Sequence, residues 1–235
     1  MQSAFPGFPA EAMDFFRGLA LHNDREWFLP RKSVFEERVK QPMRELTEAV
    51  NAALARFAPE HVTEPDKAIY RFYRDTRFSA DKTPYKDHIA AIFPRRGFAK
   101  HDGASYYLSV SNKAVEIAGG VYMPTPETLA AIRRHVAESH DELRRICQAP
   151  ALRRLLGELK GTCLSRVPKG YAAEDPAADL LRFKQFYFFA ELPADIAVTP
   201  AVFDEILRRF RAVAPFVDFM NAPLVAEKKK ARFRL

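Results

Sequence analysis

Residues 69–86 combine cationic, acidic and aromatic side chains more densely than any other part of the chain. Such a mixture favours anion binding, because a guanidinium binds phosphate or carboxylate through paired hydrogen bonds and an ammonium adds a point charge. We therefore predict that the functional surface lies in this segment. Its predicted ligand-binding residues are Arg71, Arg74, Arg77, Lys82, Lys86 and Tyr85.

The charge balance of the segment limits this prediction. Its five cations face three nearby carboxylates, so the excess charge is only +2. Those carboxylates are Asp75, Asp81 and Asp87. If residues 68–74 form a strand, side chains alternate between its faces, and Arg71 and Arg74 point in opposite directions. Each arginine taken alone is then better explained by pairing with a local carboxylate, because an unpaired buried charge is very costly.

Catalysis at this surface would require a group that transfers a proton. His88 and Asp75 are the predicted catalytic residues, because imidazole titrates near neutral pH and a carboxylate is a common general base. A histidine at the start of a strand is also often only hydrogen-bonded. The sequence therefore leaves open whether the protein is an enzyme.

The charge of the whole chain is partly concentrated at its C-terminus. The 235 residues carry a formal charge of +7, and residues 227–235 account for +4 of it, with five cations and one carboxylate. We predict that these nine residues form a disordered basic tail. The remaining +3 belongs to residues 1–226, and this modest charge weakens a nucleic-acid-binding interpretation.

Several common kinds of site are absent from the sequence. It contains no Gly-rich phosphate loop, no H-E-x-x-H or C-x-x-C motif and no G-x-S-x-G nucleophile. We therefore predict neither a metal nor a cofactor. The sequence also shows no secretory signal, no apolar run that could span a bilayer and only two cysteines, so we expect a cytoplasmic protein without a membrane partner.

The pattern of apolar residues predicts an α+β fold. Apolar residues recur at helical spacing at residues 15–20 and 30–57, the second of which Pro42 should divide, and then at residues 125–159 and 199–215. About five segments rich in β-branched and aromatic residues are the predicted strands: 68–74, 88–93, 105–111, 114–122 and 184–191. Their short links favour a mainly antiparallel sheet. We predict that N-terminal, middle and C-terminal helices flank this sheet in a single domain of residues 1–226.

Five motifs spread along the chain form a specific pattern. They are NDREWF at residues 23–28, YRFYRDTRFS with DKTPYK at 70–86, GGVYMP at 119–124, PKGY at 168–171 and LLRFK at 180–184. With these motifs, the chain resembles the family catalogued as domain of unknown function 2461 over nearly its whole length. The resemblance implies one intact domain, and it implies no established activity, cofactor or substrate.

Three hypotheses for function remain open at this stage. The first is a site for a small anionic, phosphate-bearing ligand, with or without catalysis. The second is a nucleic-acid-binding module, in which exposed aromatic side chains stack on bases while cations contact phosphates. Its candidate stacking residues are Tyr70, Phe72, Tyr73 and Phe78. The third is a non-enzymatic interaction domain in which the arginine–aspartate cluster is structural. The oligomeric state is left open.

Overall fold

A computed structural model describes the backbone of residues 5–232 and the side chains of residues 5–226. Its α-helices, in chain order, are α1 (Ala10–Leu21), α2 (Arg25–Phe28), α3 (Lys32–Val34), α4 (Gln41–Leu54), α5 (Pro65–Ala68), α6 (Pro126–Glu138), α7 (His140–Cys147), α8 (Pro150–Leu156), α9 (Ala178–Leu181) and α10 (Ala201–Arg232). A π-helical segment, Phe35–Lys40, precedes α4 directly. Pro42 is therefore the second residue of α4, beside the point where π-helical hydrogen bonding changes to α-helical.

The described residues form one four-stranded sheet, so the predicted α+β class is confirmed. Its strands are β1 (His88–Pro94), β2 (Ser105–Ser111), β3 (Ala114–Val121) and β4 (Phe186–Pro193), which lie side by side in this order and run antiparallel. The expected number of about five strands was too high by one.

The predicted strand at residues 68–74 accounts for the difference. Two isolated bridges stand in its place: Ile69 pairs with Ala91 of β1, and Tyr73 pairs with Tyr85. Ile69 and Tyr73 are four residues apart and their partners are six apart, so the register of pairing shifts by two residues between the bridges. Pro84, beside the second bridge, has no N–H and serves only as an acceptor, from the N–H of Arg74. A regular ladder is therefore interrupted between the bridges and cannot extend past Pro84.

The chain divides into two compact units. The first comprises Met1–Phe93, Tyr107–Ile117 and Glu191–Leu207, and the second comprises Pro94–Tyr106, Ala118–Ala190 and Arg208–Leu235. The prediction of a single domain over residues 1–226 stays a prediction.

The core of the first unit is a cluster of aromatic rings. Phe15, Phe28, Phe35 and Phe72 are each at most 6% exposed, and neighbouring ring centroids in this group lie 4.3–6.3 Å apart. The helical spacing of apolar residues in α1 and α4 supplies the rest of this core. The cluster therefore fixes Phe72, and with it the backbone of residues 69–86, which we call the cation-rich segment.

Asparagine side chains fix loops of both units in the same way. In the first unit, Asn51 donates to the carbonyl of Thr63 at 2.6 Å and accepts from its N–H at 3.0 Å. In the second, the buried Asn221 of α10 donates to the carbonyl of Ala104 at 3.0 Å and accepts from its N–H at 2.9 Å. Each amide satisfies both polar groups of one peptide residue, as a neighbouring strand would.

Two adjacent glycines allow close packing in the second unit. A Cβ at Gly119 would lie 2.5 Å from the side chain of Val213 in α10. A Cβ at Gly120 would lie 2.3 Å from the carbonyl oxygen of Phe186 in β4, and Gly120 has a φ of +135°. The pair therefore lets β3 lie against both α10 and the backbone of β4.

The C-terminal helix is the last described element. Helix α10 continues to Arg232, past Pro215 and Pro223. Residues 233–235 of the predicted basic tail lie outside the described residues, as do the side chains of residues 227–232, and the tail stays a prediction. None of the helices within residues 5–232 has the length and apolar character needed to cross a membrane.

Candidate functional site

Arg74 closes the base of a loop formed by residues 75–82, which we call the basic loop. Its guanidinium donates to the hydroxyl of Thr83 at 2.6 Å and forms an ion pair with Asp81. Its backbone N–H donates to the carbonyl of Pro84 at 2.9 Å, which joins the two ends of the loop. The side chain of Arg74 is 30% exposed, whereas that of Arg71 is 70% exposed. These contacts favour a structural role for Arg74, and its predicted ligand-binding role stays a prediction.

Asp81 supplies the negative charge at the loop base. It accepts a hydrogen bond from the N–H of Thr83 at 2.9 Å, and others from Arg74 and from the Thr83 hydroxyl. These bonds lower the pKa of Asp81 to about 2. The Arg74 and Asp81 charges therefore cancel, and neither contributes to the excess positive charge of the segment.

The outer part of the basic loop is not balanced in this way. Arg77 donates to both carboxylate oxygens of Asp75, through Nε at 3.0 Å and Nη2 at 2.8 Å. Arg71 lies 3.7 Å from the same carboxylate, and Lys82 donates to the carbonyl of Thr76 at 2.9 Å. Arg71 and Arg77 thus share one carboxylate, and Lys82 contacts none among the described residues. This leaves an excess of +2 on side chains that include the largely exposed Arg71 (70%) and Arg77 (76%).

The same hydrogen bonds affect Asp75, one of the two predicted catalytic residues. Bonds from the Arg77 side chain and backbone, and the charge of Arg71, lower the pKa of Asp75. A carboxylate held in this way accepts a proton less readily than a free one. The geometry therefore favours a positioning role for Asp75, and its predicted catalytic role stays a prediction.

Aromatic side chains of the segment divide into buried and exposed sets. Phe72 and Tyr85 are buried, and the Tyr85 ring stacks on Phe28 with centroids 4.2 Å apart. Tyr73 is 52% exposed and Phe78 is 96% exposed, with the Arg77 guanidinium 5.8 Å from the Phe78 ring centroid. Because Tyr85 belongs to the core, we leave it out of the ligand-binding set proposed below.

Lys86 lies on the sheet side of the segment. Its Nζ is 4.9 Å from the ring centroid of Tyr70, whose ring is in turn 6.4 Å from that of Tyr107 in β2. Burial raises the pKa of Tyr70. Lys86 is therefore held by an aromatic surface, whereas Arg71, Arg77 and Lys82 surround the carboxylate and carbonyl of the basic loop.

His88, the other predicted catalytic residue, lies at the start of β1 beside two charged groups. Its Nδ1 is 3.0 Å from Asp87, whose other oxygen accepts from Lys113 at 2.8 Å. Burial alone would raise the pKa of Asp87, but the hydrogen bonds from Lys113 and His88 lower it to about 2. No hydrogen bond joins His88 to the basic loop among the described residues. Its catalytic role stays a prediction.

Two contacts of this region were not found by sequence reasoning. One is the Lys113–Asp87 ion pair, and the other is the hydrogen bond from the buried Ser109 to Glu116, at 2.7 Å. The hairpin offered a signal for the second, since residues equally distant from the two-residue turn, Asn112 and Lys113, lie opposite each other. Within the described residues, no three His, Cys, Asp or Glu side chains come together as metal ligands.

An N-terminal motif positions the end of the cation-rich segment. Asn23 donates to the carbonyl of Tyr85 at 3.0 Å and accepts from its N–H at 3.1 Å. Asp24 caps α2 by accepting from the N–H of Trp27 at 2.8 Å, and this short helix brings Phe28 onto the Tyr85 ring. The motifs at residues 23–28 and 70–86 therefore form one structural unit.

The lowered pKa of Asp87 predicts an acid-dependent loss of stability. Because the folded pKa of about 2 lies below the ordinary value of 3.8, the stabilisation from this group is present above pH 3.8 and is lost as the pH falls through 2. Since the Asp87 carboxylate is partly exposed, we expect its contribution to the free energy of unfolding to be at most about 1 kcal/mol. Urea unfolding at pH 6, 4 and 2 should show a smaller decrease in the free energy of unfolding for Asp87→Asn than for the wild type.

The control for this measurement is Glu64→Gln, which also removes one carboxylate paired with a lysine, here the exposed Lys67. An equal pH dependence in Asp87→Asn and the wild type would show that the Asp87 contacts do not persist in solution.

The comparison with protein families gives one match. A family model described as "Conserved hypothetical protein (DUF2461)" matches residues 11–219. The match includes the basic loop, the asparagine contact to Tyr85 and all four strands. No curated protein matches the chain.

Proposed function

Since the chain belongs to the conserved hypothetical protein family DUF2461, whose description names no activity, we propose from its own geometry that the basic loop binds a phosphate-bearing ligand. The observation that carries this proposal is the imbalance of exposed charge: Arg71 and Arg77 share the carboxylate of Asp75, and Lys82 donates only to a backbone carbonyl. A phosphate group would neutralise the excess of +2 that these side chains leave.

The positions of the donors support this proposal. Arg77 uses Nε and Nη2 on Asp75, so its Nη1 and the second proton of Nη2 remain for a ligand. Arg71 lies beyond hydrogen-bonding distance of the same carboxylate, at 3.7 Å, and offers its guanidinium as well. Asp75 therefore orients Arg77, and the remaining N–H groups of the guanidinium stay available to a ligand. An arginine fixed in this way loses less conformational entropy when it binds an anion.

The exposed rings suggest what else the ligand carries. Phe78 is almost fully exposed beside Arg77, and Tyr73, two residues before the basic loop, is half-exposed. A planar group stacked on such a ring gains about 1–3 kcal/mol in nucleic-acid complexes. A nucleotide, which combines a phosphate with a planar base, fits this arrangement of cations and rings.

A single-stranded nucleic acid is the second candidate. The exposed Phe78 favours it, because an aromatic ring at the tip of a loop is open to a long strand. Contact with two or three phosphates predicts a slope of log K against log salt of about −1.4 to −2.1. Binding of an oligonucleotide without binding of mononucleotides would favour this candidate, unless deletion of residues 227–235 alone abolished it.

We expect Arg77→Gln to weaken binding of a nucleotide about 10-fold, because one charge-assisted hydrogen-bonding group is lost. Phe78→Ser should weaken it by a similar factor through loss of stacking. Isothermal titration with AMP, ATP and inorganic phosphate measures both effects. The affinity for inorganic phosphate should fall in Arg77→Gln and stay unchanged in Phe78→Ser.

The matched control is Arg17→Gln in α1, since Arg17 is also exposed and paired with a nearby aspartate, Asp14. It should leave binding unchanged. If no phosphate-bearing probe binds at millimolar concentration, or if Arg77→Gln binds as well as the wild type, the proposal is wrong. The cluster would then have the purely structural role of the third hypothesis.

A further inference from the structure

Arg133 of α6, in the second compact unit, carries a partly buried charge that no carboxylate neutralises among the residues the structure describes. The side chain donates from Nη2 to the carbonyl of Phe183 at 2.9 Å. A carbonyl satisfies one N–H, but it does not cancel a positive charge. Burial lowers the pKa of Arg133, which reflects the free energy lost when an arginine leaves water.

The three guanidinium nitrogens of Arg133 have different surroundings. Nη2 is bonded to Phe183, and Nε is buried without a hydrogen-bond partner among the described residues. Nη1 forms no hydrogen bond within the described part of the chain and is not fully buried. The guanidinium is thus held on one side by the protein and presents its outer edge, Nη1 with the second proton of Nη2, to a partner from outside. This edge matches the two oxygens of a carboxylate or phosphate.

Two motifs that the basic loop does not explain bear on this arginine. The turn at residues 168–171, with Gly170 at a φ of +98°, carries Tyr171, whose electrostatic effect partly offsets the lowering of the Arg133 pKa. The segment at residues 180–184 provides the Phe183 carbonyl. It also carries the half-buried Arg182, whose Nε donates to the carbonyl of Leu164 at 2.8 Å and which forms no ion pair among the described residues.

We propose that Arg133 and Tyr171 form a second binding site, for the oxyanion of a small molecule. The guanidinium edge binds the oxyanion, the Tyr171 hydroxyl donates to it, and the Phe183 carbonyl holds the arginine in place. Arg182 adds positive potential to the same segment. The bound anion compensates the charge that no described carboxylate compensates, and an uncompensated charge in a partly buried position is unfavourable. The site lies in the second unit, so it does not depend on the basic loop.

The test uses the full chain with Arg77→Gln, so that phosphate binding at the basic loop is weakened about 10-fold. Thermal unfolding is followed in phosphate, succinate and chloride at constant ionic strength. Saturating phosphate or succinate should raise Tm by roughly 2–4 °C over chloride, because a ligand that binds only the folded state stabilises it. A larger rise with phosphate identifies a phosphate ligand, and a larger rise with succinate identifies a carboxylate.

Arg133→Lys should abolish this rise, because an ammonium keeps the charge but cannot present two parallel N–H groups. Tyr171→Phe should weaken anion binding about 3–10-fold, as expected for one lost hydrogen bond. Arg145→Gln, which removes a more exposed arginine from the neighbouring α7, should retain the full rise.

Loss of the rise in Arg133→Lys with retention in Arg145→Gln supports the site. No rise with either anion, or an unchanged rise in a folded Arg133→Lys protein, overturns it. If Arg133→Lys does not fold, an unchanged affinity in Tyr171→Phe overturns the site as proposed. Because Arg133→Lys and Arg145→Gln are compared in the same Arg77→Gln background, any remaining phosphate binding by the basic loop contributes equally to both.

Discussion

Replacement of Phe72 by alanine should lower the free energy of unfolding by about 3–5 kcal/mol, the usual range for removal of a buried phenylalanine. Phe72 is 6% exposed, and its ring centroid lies 4.3 Å from that of Phe35 and 5.7 Å from that of Tyr85. The residue also accepts a backbone hydrogen bond from Lys86. The loss of its ring therefore leaves a cavity beneath the cation-rich segment and loosens the base of the basic loop.

Urea unfolding of wild-type and variant proteins measures this effect. Phe78→Ala is the matched control, because it makes the same chemical change six residues away on a side chain that is 96% exposed. Its effect on the free energy of unfolding should be within about 0.5 kcal/mol. Similar values for the two variants would mean that the burial pattern of this segment is incorrect.

The second large effect is expected for Gly120→Ala, at about 2–5 kcal/mol. Part of it is backbone strain, because alanine rarely adopts a φ of +135°. The rest is steric, because the new Cβ would lie 2.3 Å from the carbonyl oxygen of Phe186 and 2.7 Å from the Cα of Tyr187. Both contacts are backbone atoms of β4, which cannot move away as a flexible side chain can.

Gly97→Ala separates strain from steric overlap. Gly97 also has a positive φ, of +84°, but a Cβ there would meet no atom within 4 Å. We expect Gly97→Ala to destabilise the protein by about 1 kcal/mol, from strain alone. Equal destabilisation by both variants would show that the close approach of β3 and β4 at Gly120 is absent in solution.

Local sequence patterns predicted the elements whose signals are local. Thr125 and Pro126 identified the start of α6, and the Thr125 hydroxyl indeed caps it by accepting from the N–H of Thr128. The hairpin of β2 and β3 also lies where alternation predicted it. Residues 68–74 have the composition of a strand, but their pairing depends on partners at residues 84–91, whose position cannot be inferred from propensity.

The candidate site was predictable to a similar extent. Its position in residues 69–86 and its excess cationic charge follow from composition, and the short-range pair of Asp75 and Arg77 is readable from spacing. The partner of Arg74 could not be predicted, because Asp81 reaches Arg74 only when the loop closes at Thr83 and Pro84. Side-chain direction at Tyr85 also depends on a distant residue, Phe28 of α2. Division of the arginines into structural and exposed ones therefore required the tertiary structure.

The asparagine contacts have a consequence for the order in which the chain folds. They join residues that are 12, 62 and 117 positions apart, at Asn51, Asn23 and Asn221 respectively. At a translation rate of about 5–20 residues per second, the ribosome needs roughly 6–23 s to add the residues between Ala104 and Asn221. During that interval the peptide group of Ala104 has no amide partner. The start of β2 thus reaches its native hydrogen bonding only after most of α10 has been synthesised.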